Sequence, residues 1–117
     1  MHNANDCIFC KIVDKEIPAD IVKETGNFIV IKDINPVSPI HLLIISKRHY
    51  NSLLDVKGEG EIYGNEIFGL CGELAVEFNA VDRGFRVVIN TKEDGGQTVD
   101  HMHIHFMSGR RFTWPPG

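Results

Sequence analysis

The sequence predicts an α+β domain, a five-stranded antiparallel sheet with one long helix and one or two short helices. Short apolar segments separated by Gly, Pro, Asn and Asp punctuation supply the strands. A single stretch, Glu61 to Ala80, carries helical periodicity, and strands interrupted by one principal helix place that helix across a sheet face. With 117 residues the chain fits one domain, 1–117, with room for a core but not for a second independent unit.

Cys7 to Val13 reads as a short helix or turn, ended by the Asp14 to Pro18 stretch. Ile21 to Lys23 and Phe28 to Asp33 are two strands joined across Gly26-Asn27, a tight hairpin signal. Pro36 and Pro39 then remove backbone donors and break the pattern. His41 to Ser46 is apolar enough for a central strand, and His49 to Leu54 is expected to make one helical turn.

In the long helix Ile62, Ile67, Leu70, Cys71, Leu74 and Phe78 recur on one face, with Cys71 a buried core residue. Gly64, Gly69 and Gly72 each cost about 1 kcal/mol relative to alanine there, so packing must compensate or use the close backbone approach they permit. Phe85 to Asn90 is the fourth strand and Thr91 to Gly96 a turn. The fifth strand holds Asp100-His101-Met102-His103-Ile104-His105-Phe106-Met107.

Composition narrows the function. A formal charge of −4 offers no basic field for a polynucleotide backbone. No apolar run approaches the roughly 20 residues of a membrane helix, and Met1 to Asp6 lacks the features of a secretory signal, so the cytoplasm is the expected compartment. Three cysteines cannot pair without one left over. The Cys7-x-x-Cys10 motif stays open between half a zinc site, a redox pair and two small core residues, although the chain lacks the βαβ setting of a thioredoxin-like pair.

Half of the six histidines stand at alternate positions in the fifth strand. Alternation puts His101, His103 and His105 on one face, with Met102, Ile104 and Phe106 in the core on the other. Clustered imidazoles repel when all are protonated, so some must be neutral at pH 7 and available as nucleophiles, bases or metal ligands. Before them, Asp94-Gly95-Gly96-Gln97-Thr98 joins two glycines to an amide and a hydroxyl, a loop able either to cradle a phosphate or to close a hairpin.

The run Gly95-Gly96-Gln97-Thr98-Val99-Asp100-His101-Met102-His103-Ile104-His105 resembles the signature of the histidine triad (HIT) family of nucleotide hydrolases and transferases. The ending Gly109 to Gly117, with Trp114-Pro115-Pro116, resembles the tail of its Hint branch. Further matching residues are Ile8-Phe9, Asp33-Ile34, Pro39-Ile40-His41, Lys47-Arg48-His49 and Val88-Ile89-Asn90, so the resemblance spans nearly the whole chain.

That resemblance implies a HIT-like fold and hydrolysis of purine nucleoside 5′-phosphoramidates to the monophosphate, with His103 as nucleophile and a nucleotidyl-histidine intermediate. It implies that His105 contacts the phosphate and His41 orients the site. Gln97 and Thr98 hold phosphate oxygens or assist the leaving amine; serine is usual where this chain has Thr98. Asp33 accepts from the ribose, Ile8, Phe9, Ile34 and Leu43 form the base slot, and Asn90 reaches phosphate or sugar. In zinc-binding members, the ligand positions correspond to Cys7, Cys10, His49 and His101, a closed tetrahedral site that serves as scaffold and is not required for catalysis. A homodimer is implied too, with Trp114 contributing to the partner's site. Rival readings are a dinucleoside polyphosphate hydrolase of the same family, a metal-dependent hydrolase using the three histidines, and a nucleotide-binding interaction module.

Overall fold

The computed structural model describes residues 6–117. In chain order the elements are α1 (Ile8–Val13), β1 (Ile21–Glu24), β2 (Phe28–Lys32), β3 (Ile40–Ser46), a 3-10 helix (Leu53–Glu59), α2 (Gly60–Glu77), β4 (Arg86–Val88), α3 (Lys92–Gly95) and β5 (His103–Ser108). The strands form one sheet in the order β1-β2-β3-β5-β4, every neighbouring pair antiparallel. This is the predicted α+β architecture. Among the described residues, no helix is long and apolar enough to cross a membrane.

Period-two alternation sends β2 and β3 side chains into two separate cores. Phe28, Val30, Leu42 and Ile44 join Ile104 and Phe106 beneath Ile67, Leu70 and Leu74 of α2. On the opposite face Ile29, Ile31, Leu43 and Ile45 pack with Phe9, Cys10 and Ile12 of α1. The sheet face that bears the imidazoles is therefore largely apolar around them, because α1 folds over it. Cys7 caps α1, its Sγ accepting from the Cys10 backbone N–H at 3.3 Å.

Several boundaries differ from the sequence expectation. The turn expected at His49 to Leu54 forms instead as the 3-10 helix from Leu53, where the buried Ser52 hydroxyl accepts from Leu54 N–H at 3.2 Å. The long helix stops at Glu77, short of Ala80, because Asn79 takes a left-handed φ of 56°. The fourth strand shrinks to Arg86–Val88, and Lys92–Gly95 within the expected turn makes one helical turn that ends on Gly96 at φ 75°. The fifth strand starts at His103, so His101 lies in the loop before it. Past β5, Gly109 has φ 97°, and a Cβ there would meet the Pro39 ring at 2.8 Å.

The helix glycines do not serve a close approach within the chain. A Cβ at Gly64, Gly69 or Gly72 would meet no described atom within 4 Å. Gly60, Gly64 and Gly72 instead line an apolar groove of about 610 Å³ between α2 and β4, beside Phe68, Phe85 and Val87.

Leu74 is 0% exposed at the centre of the helix-facing core, whereas Ile62 on the same helix is exposed. Leu74→Ala is expected to cost about 3 kcal/mol of unfolding free energy, through lost transfer energy and the cavity left behind. Ile62→Ala should stay within about 0.5 kcal/mol of the parent. Urea denaturation of both variants checks the contrast.

Candidate functional site

The pairing of β3 with β5 assembles the histidines. Its register sets Ile45 opposite His103, Leu43 opposite His105 and His41 opposite Met107. Partners across an antiparallel pair share a face, so His41 joins His103 and His105 on the side covered by α1. The His103 and His105 ring centroids are 5.2 Å apart, and Phe9 of α1 meets His103 edge-on at 5.0 Å.

Hydrogen bonds assign the imidazole protons one by one. The Val37 backbone N–H donates to His41 Nδ1 at 3.1 Å, so neutral His41 carries its proton on Nε2. That Nε2 lies 2.9 Å from His105 Nδ1 and 3.4 Å from Asp33 Oδ2. His41 therefore donates to His105, whose own proton goes to Nε2. His103 Nδ1 is 2.7 Å from the His101 carbonyl, which can only accept, leaving His103 Nε2 as a bare lone pair. A ring nitrogen with its lone pair exposed thus stands on a ring neighbouring one that carries an N–H donor. Burial, reinforced by neighbouring His103 and His41, lowers the His105 pKa from 6.5 to about 4, so His105 is neutral at pH 7.

His101 is 0% exposed and belongs to a different constellation. Its Nε2 donates to the Ser46 carbonyl at 2.7 Å, turning the Nδ1 lone pair toward Cys7 Sγ at 3.2 Å and Cys10 Sγ at 3.5 Å. His49 Nε2 pairs with Asn51 Oδ1 at 2.8 Å, so its Nδ1 also faces inward, 3.2 Å from Cys10 Sγ and 3.1 Å from His101 Nδ1. Two lone pairs pointed at one another call for a cation between them. Tetrahedral zinc separates N and S ligand atoms by about 3.3–3.8 Å, given its usual bond lengths, and the observed contacts lie within a few tenths of that. The residues fit such an ion. Burial, together with Cys7, pushes the Cys10 thiol up to about 12, and a bound metal would have to draw that proton off.

Asp33, His41 and His105 also lie close enough to be considered as ligands. Here the proton map argues the other way, since the Val37 amide occupies His41 Nδ1 and keeps a proton on Nε2. The trio is a hydrogen-bond relay. A metal held jointly by His101, His103 and His105 is disfavoured too, because His101 turns its Nδ1 toward Cys7 and Cys10, away from the other two rings, and His105 Nδ1 accepts from His41.

The remaining expected residues are placed unevenly. Asp33 stands beside the histidines, its Oδ1 also accepting from Asn35 N–H at 2.8 Å. Phe9 and Leu43 are buried against them, while Ile8 is half-exposed and Ile34 is 89% exposed. Gln97 ties two loops together: its amide donates to the Asn51 carbonyl at 2.6 Å and the Val99 carbonyl at 3.0 Å and accepts from Lys92 N–H at 2.9 Å. Thr98 is exposed at the rim of a hollow of about 880 Å³ that also borders Cys7 and His49. Asn90 follows β4, with Gly95 close to its backbone. Trp114 is exposed on a tail secured by Arg86 to the Thr113 carbonyl and by Arg110 to the Val37 carbonyl.

Sequence reasoning passed over Val37, Ser46 and Asn51. The first two act through backbone groups, which leave no residue-type signal. Only Asn51, a polar residue two positions after His49, offered one.

His105 should titrate near pH 4 in histidine ring NMR, well below the 6.5 of a free imidazole. Because its folded pKa is the lower one, the unfolded chain takes up the proton first. The stability linked to His105 is complete above about pH 6.5 and is lost as pH falls toward 4. Titration at the free-imidazole value would contradict the assigned proton map.

Comparison with known proteins agrees with this architecture. Residues 14–112 match the HIT domain family. Protein HitA of Neisseria gonorrhoeae is 45% identical over 103 residues, covering 88% of this chain and 95% of that protein. A 14 kDa zinc-binding protein of Brassica juncea is 37% identical over 115 residues, 96% of this chain and all of that one. The crystal structure of a HIT family hydrolase from Legionella pneumophila superposes with a TM-score of 0.91 at 41% identity, covering 96% of this chain and 100% of that chain. With one family matched across most of its length and relatives similar from end to end, this chain belongs to the HIT domain family.

Proposed function

We propose that the protein hydrolyses purine nucleoside 5′-phosphoramidates to the nucleoside monophosphate and an amine. The observation that carries this reading is the 2.7 Å bond from His103 Nδ1–H to the His101 carbonyl, which frees Nε2 for attack. Nε2 bonds to the α-phosphorus and the P–N bond breaks. Its electron pair leaves with the amine, which takes up a proton from solvent water; the proton lost by the water that later attacks phosphorus restores the balance. The imidazolium formed on His103 keeps its Nδ1–H on the His101 carbonyl, so its positive charge develops against a fixed dipole. Neutral His105 offers Nε2–H to a phosphoryl oxygen, and Thr98 assists the departing amine. Water then attacks phosphorus and returns His103 to its starting form.

In the same reading Asp33 accepts from the ribose hydroxyls, while Ile8, Phe9, Ile34 and Leu43 hold the base. Asn90 contacts phosphate or sugar, and Gln97 supports Thr98 by bracing its loop. Cys7, Cys10, His49 and His101 hold a zinc ion, as the convergent lone pairs and the Brassica relative support. Two thiolates and two imidazoles would fill the coordination of such an ion, so the chemistry it would supply there is structural.

The chain is also read as a homodimer. Among the described residues nothing lies within 4 Å of a Cβ built at the α2 glycines, Phe68 beside them is 82% exposed, and β4 is an edge strand. A second copy that pairs β4 with β4 and fills the groove accounts for all three. Trp114 of each tail would then reach the partner's site.

A hydrolysis panel of adenosine and guanosine phosphoramidates beside dinucleoside polyphosphates tests the activity. The parent protein should turn over the phosphoramidates preferentially and yield an acid-quenched nucleotide adduct, with His103→Ala lowering kcat by about a thousandfold or more. No phosphoramidate turnover, or full activity in His103→Ala, would overturn the assignment. For the dimer, light scattering should give twice the chain mass for the parent and a monomer for Phe68→Glu, whose charge cannot be buried in an apolar groove.

A further inference from the structure

His101 belongs to two constellations at once. Its ring enters the Cys7, Cys10 and His49 cluster, and its main-chain carbonyl holds His103 Nδ1–H. We propose that the metal cluster is a positioning device for the nucleophile: ligation of the His101 ring fixes the carbonyl that selects the His103 tautomer. This rests on the zinc and His103 readings above and adds a physical link between them.

The link follows from how His101 is held. Its Nε2 donates to the Ser46 carbonyl and its backbone N–H donates to the Val99 carbonyl at 2.8 Å, so ring and main chain are fastened to the same frame. On the remaining side, its Nδ1 lies 3.1 Å from His49 Nδ1. A cation turns those facing lone pairs into two bonds. Without one, they have thiol donors at 3.2 Å on each side, and a thiol is a weak hydrogen-bond donor. The ring relaxes by moving, and the carbonyl moves with it.

His103 registers that movement. The two neutral tautomers of an imidazole are close in energy, so the hydrogen bond made by one nitrogen decides where the proton sits. Once the carbonyl is displaced, His103 divides between Nδ1–H and Nε2–H, and only the Nδ1–H form can attack. Asp33, Ile34 and Leu43 lie outside the cluster, and Ile8 and Phe9, which stand between its cysteines, are carried on α1, so nucleotide affinity is spared while α1 stays packed on the sheet. The hollow beside Cys7 and His49 gives solvent access to the cluster, and a chelator can enter there.

The test uses the full-length protein. Elemental analysis should find one zinc per chain, and long-range proton–nitrogen NMR should show His103 as a single Nδ1–H tautomer. After chelator treatment, with the fold verified by circular dichroism, the His103 nitrogen shifts should converge toward a tautomer mixture. At the same time kcat for adenosine phosphoramidate should fall about tenfold while KM stays within about twofold, the pattern of a lost positioning contact. Zinc re-addition should restore both. Should the stripped protein unfold, the double variant Cys7→Ala/Cys10→Val fills the cluster with apolar groups and is read in the same way.

A folded, metal-free protein with an unchanged tautomer and unchanged kcat overturns the proposal. Failure to bind zinc at all overturns it through the metal reading. A tautomer that follows zinc in a protein with no phosphoramidate turnover would uphold the positioning role and reject the substrate assignment instead.

Discussion

The register between β3 and β5 is the constraint on which the rest depends. It sets Leu43 against His105 and Ile45 against His103, and through β2 it sets Ile31 against Leu43 and Ile29 against Ile45. Side-chain period in a strand is two, so a slip of one residue would carry His103 and His105 into the α2 core and expel Ile104 and Phe106. Such a slip is opposed by two cores at once. Because α1 and α2 bury opposite faces, neither face has a polar side that could accept the misplaced residues. The precision of the histidine cluster is thus inherited from hydrophobic packing on both sides of the strand that bears it.

Packing on two sides also accounts for the electrostatics. Had the imidazole face been open to water, as alternation alone suggests, His105 would stay near the free-imidazole range and share protons freely with His103. With α1 laid over the sheet and Phe9 against His103, desolvation is the largest influence on His105 and drives it to the neutral state. Neutral imidazoles can then be differentiated by hydrogen bonding, each receiving a distinct role from one backbone contact. Charge suppression comes first, and tautomer selection becomes possible because of it.

Much of this was legible in the sequence, for identifiable reasons. Apolar alternation and helical periodicity report burial, and burial is what β2, β3, α2 and the strand from His103 have in common. Boundaries were less legible where single residues override periodicity, as at Asn79, where left-handed backbone ends α2, and at Ser52, which begins the 3-10 helix. Cys7, Cys10, His49 and His101 could be listed, but spacing alone left His101 on the strand with His103. What separates them is the Ser46 carbonyl, and the contacts that choose proton positions at Val37, Ser46 and His101 are made by backbone atoms common to all residues. The helix glycines likewise read as a penalty needing repayment, while the place of repayment, an external groove, lies beyond any pattern within one chain.

The proton map finally explains why residues remote from the histidines in sequence bear on them. His103 depends on the His101 carbonyl, and His101 is fastened by cysteines at the amino-terminal end. His105 depends on His41, whose tautomer is chosen by the Val37 amide. The Val37 carbonyl in turn accepts from Arg110 Nε at 2.8 Å, and the Arg110 guanidinium stacks over Phe112 with 4.2 Å to the ring centroid. Each of the two imidazoles is therefore tied to a different part of the chain: His103 through His101 to Cys7 and Cys10, His105 through His41 and Val37 to the tail that carries Trp114. Two backbone contacts, at His101 and at Val37, are enough to make one proton arrangement depend on both termini being seated. Loosening either segment disturbs a different half of the pair, so α1 and the tail from Gly109 bear on the histidine arrangement even though neither contributes one of its rings.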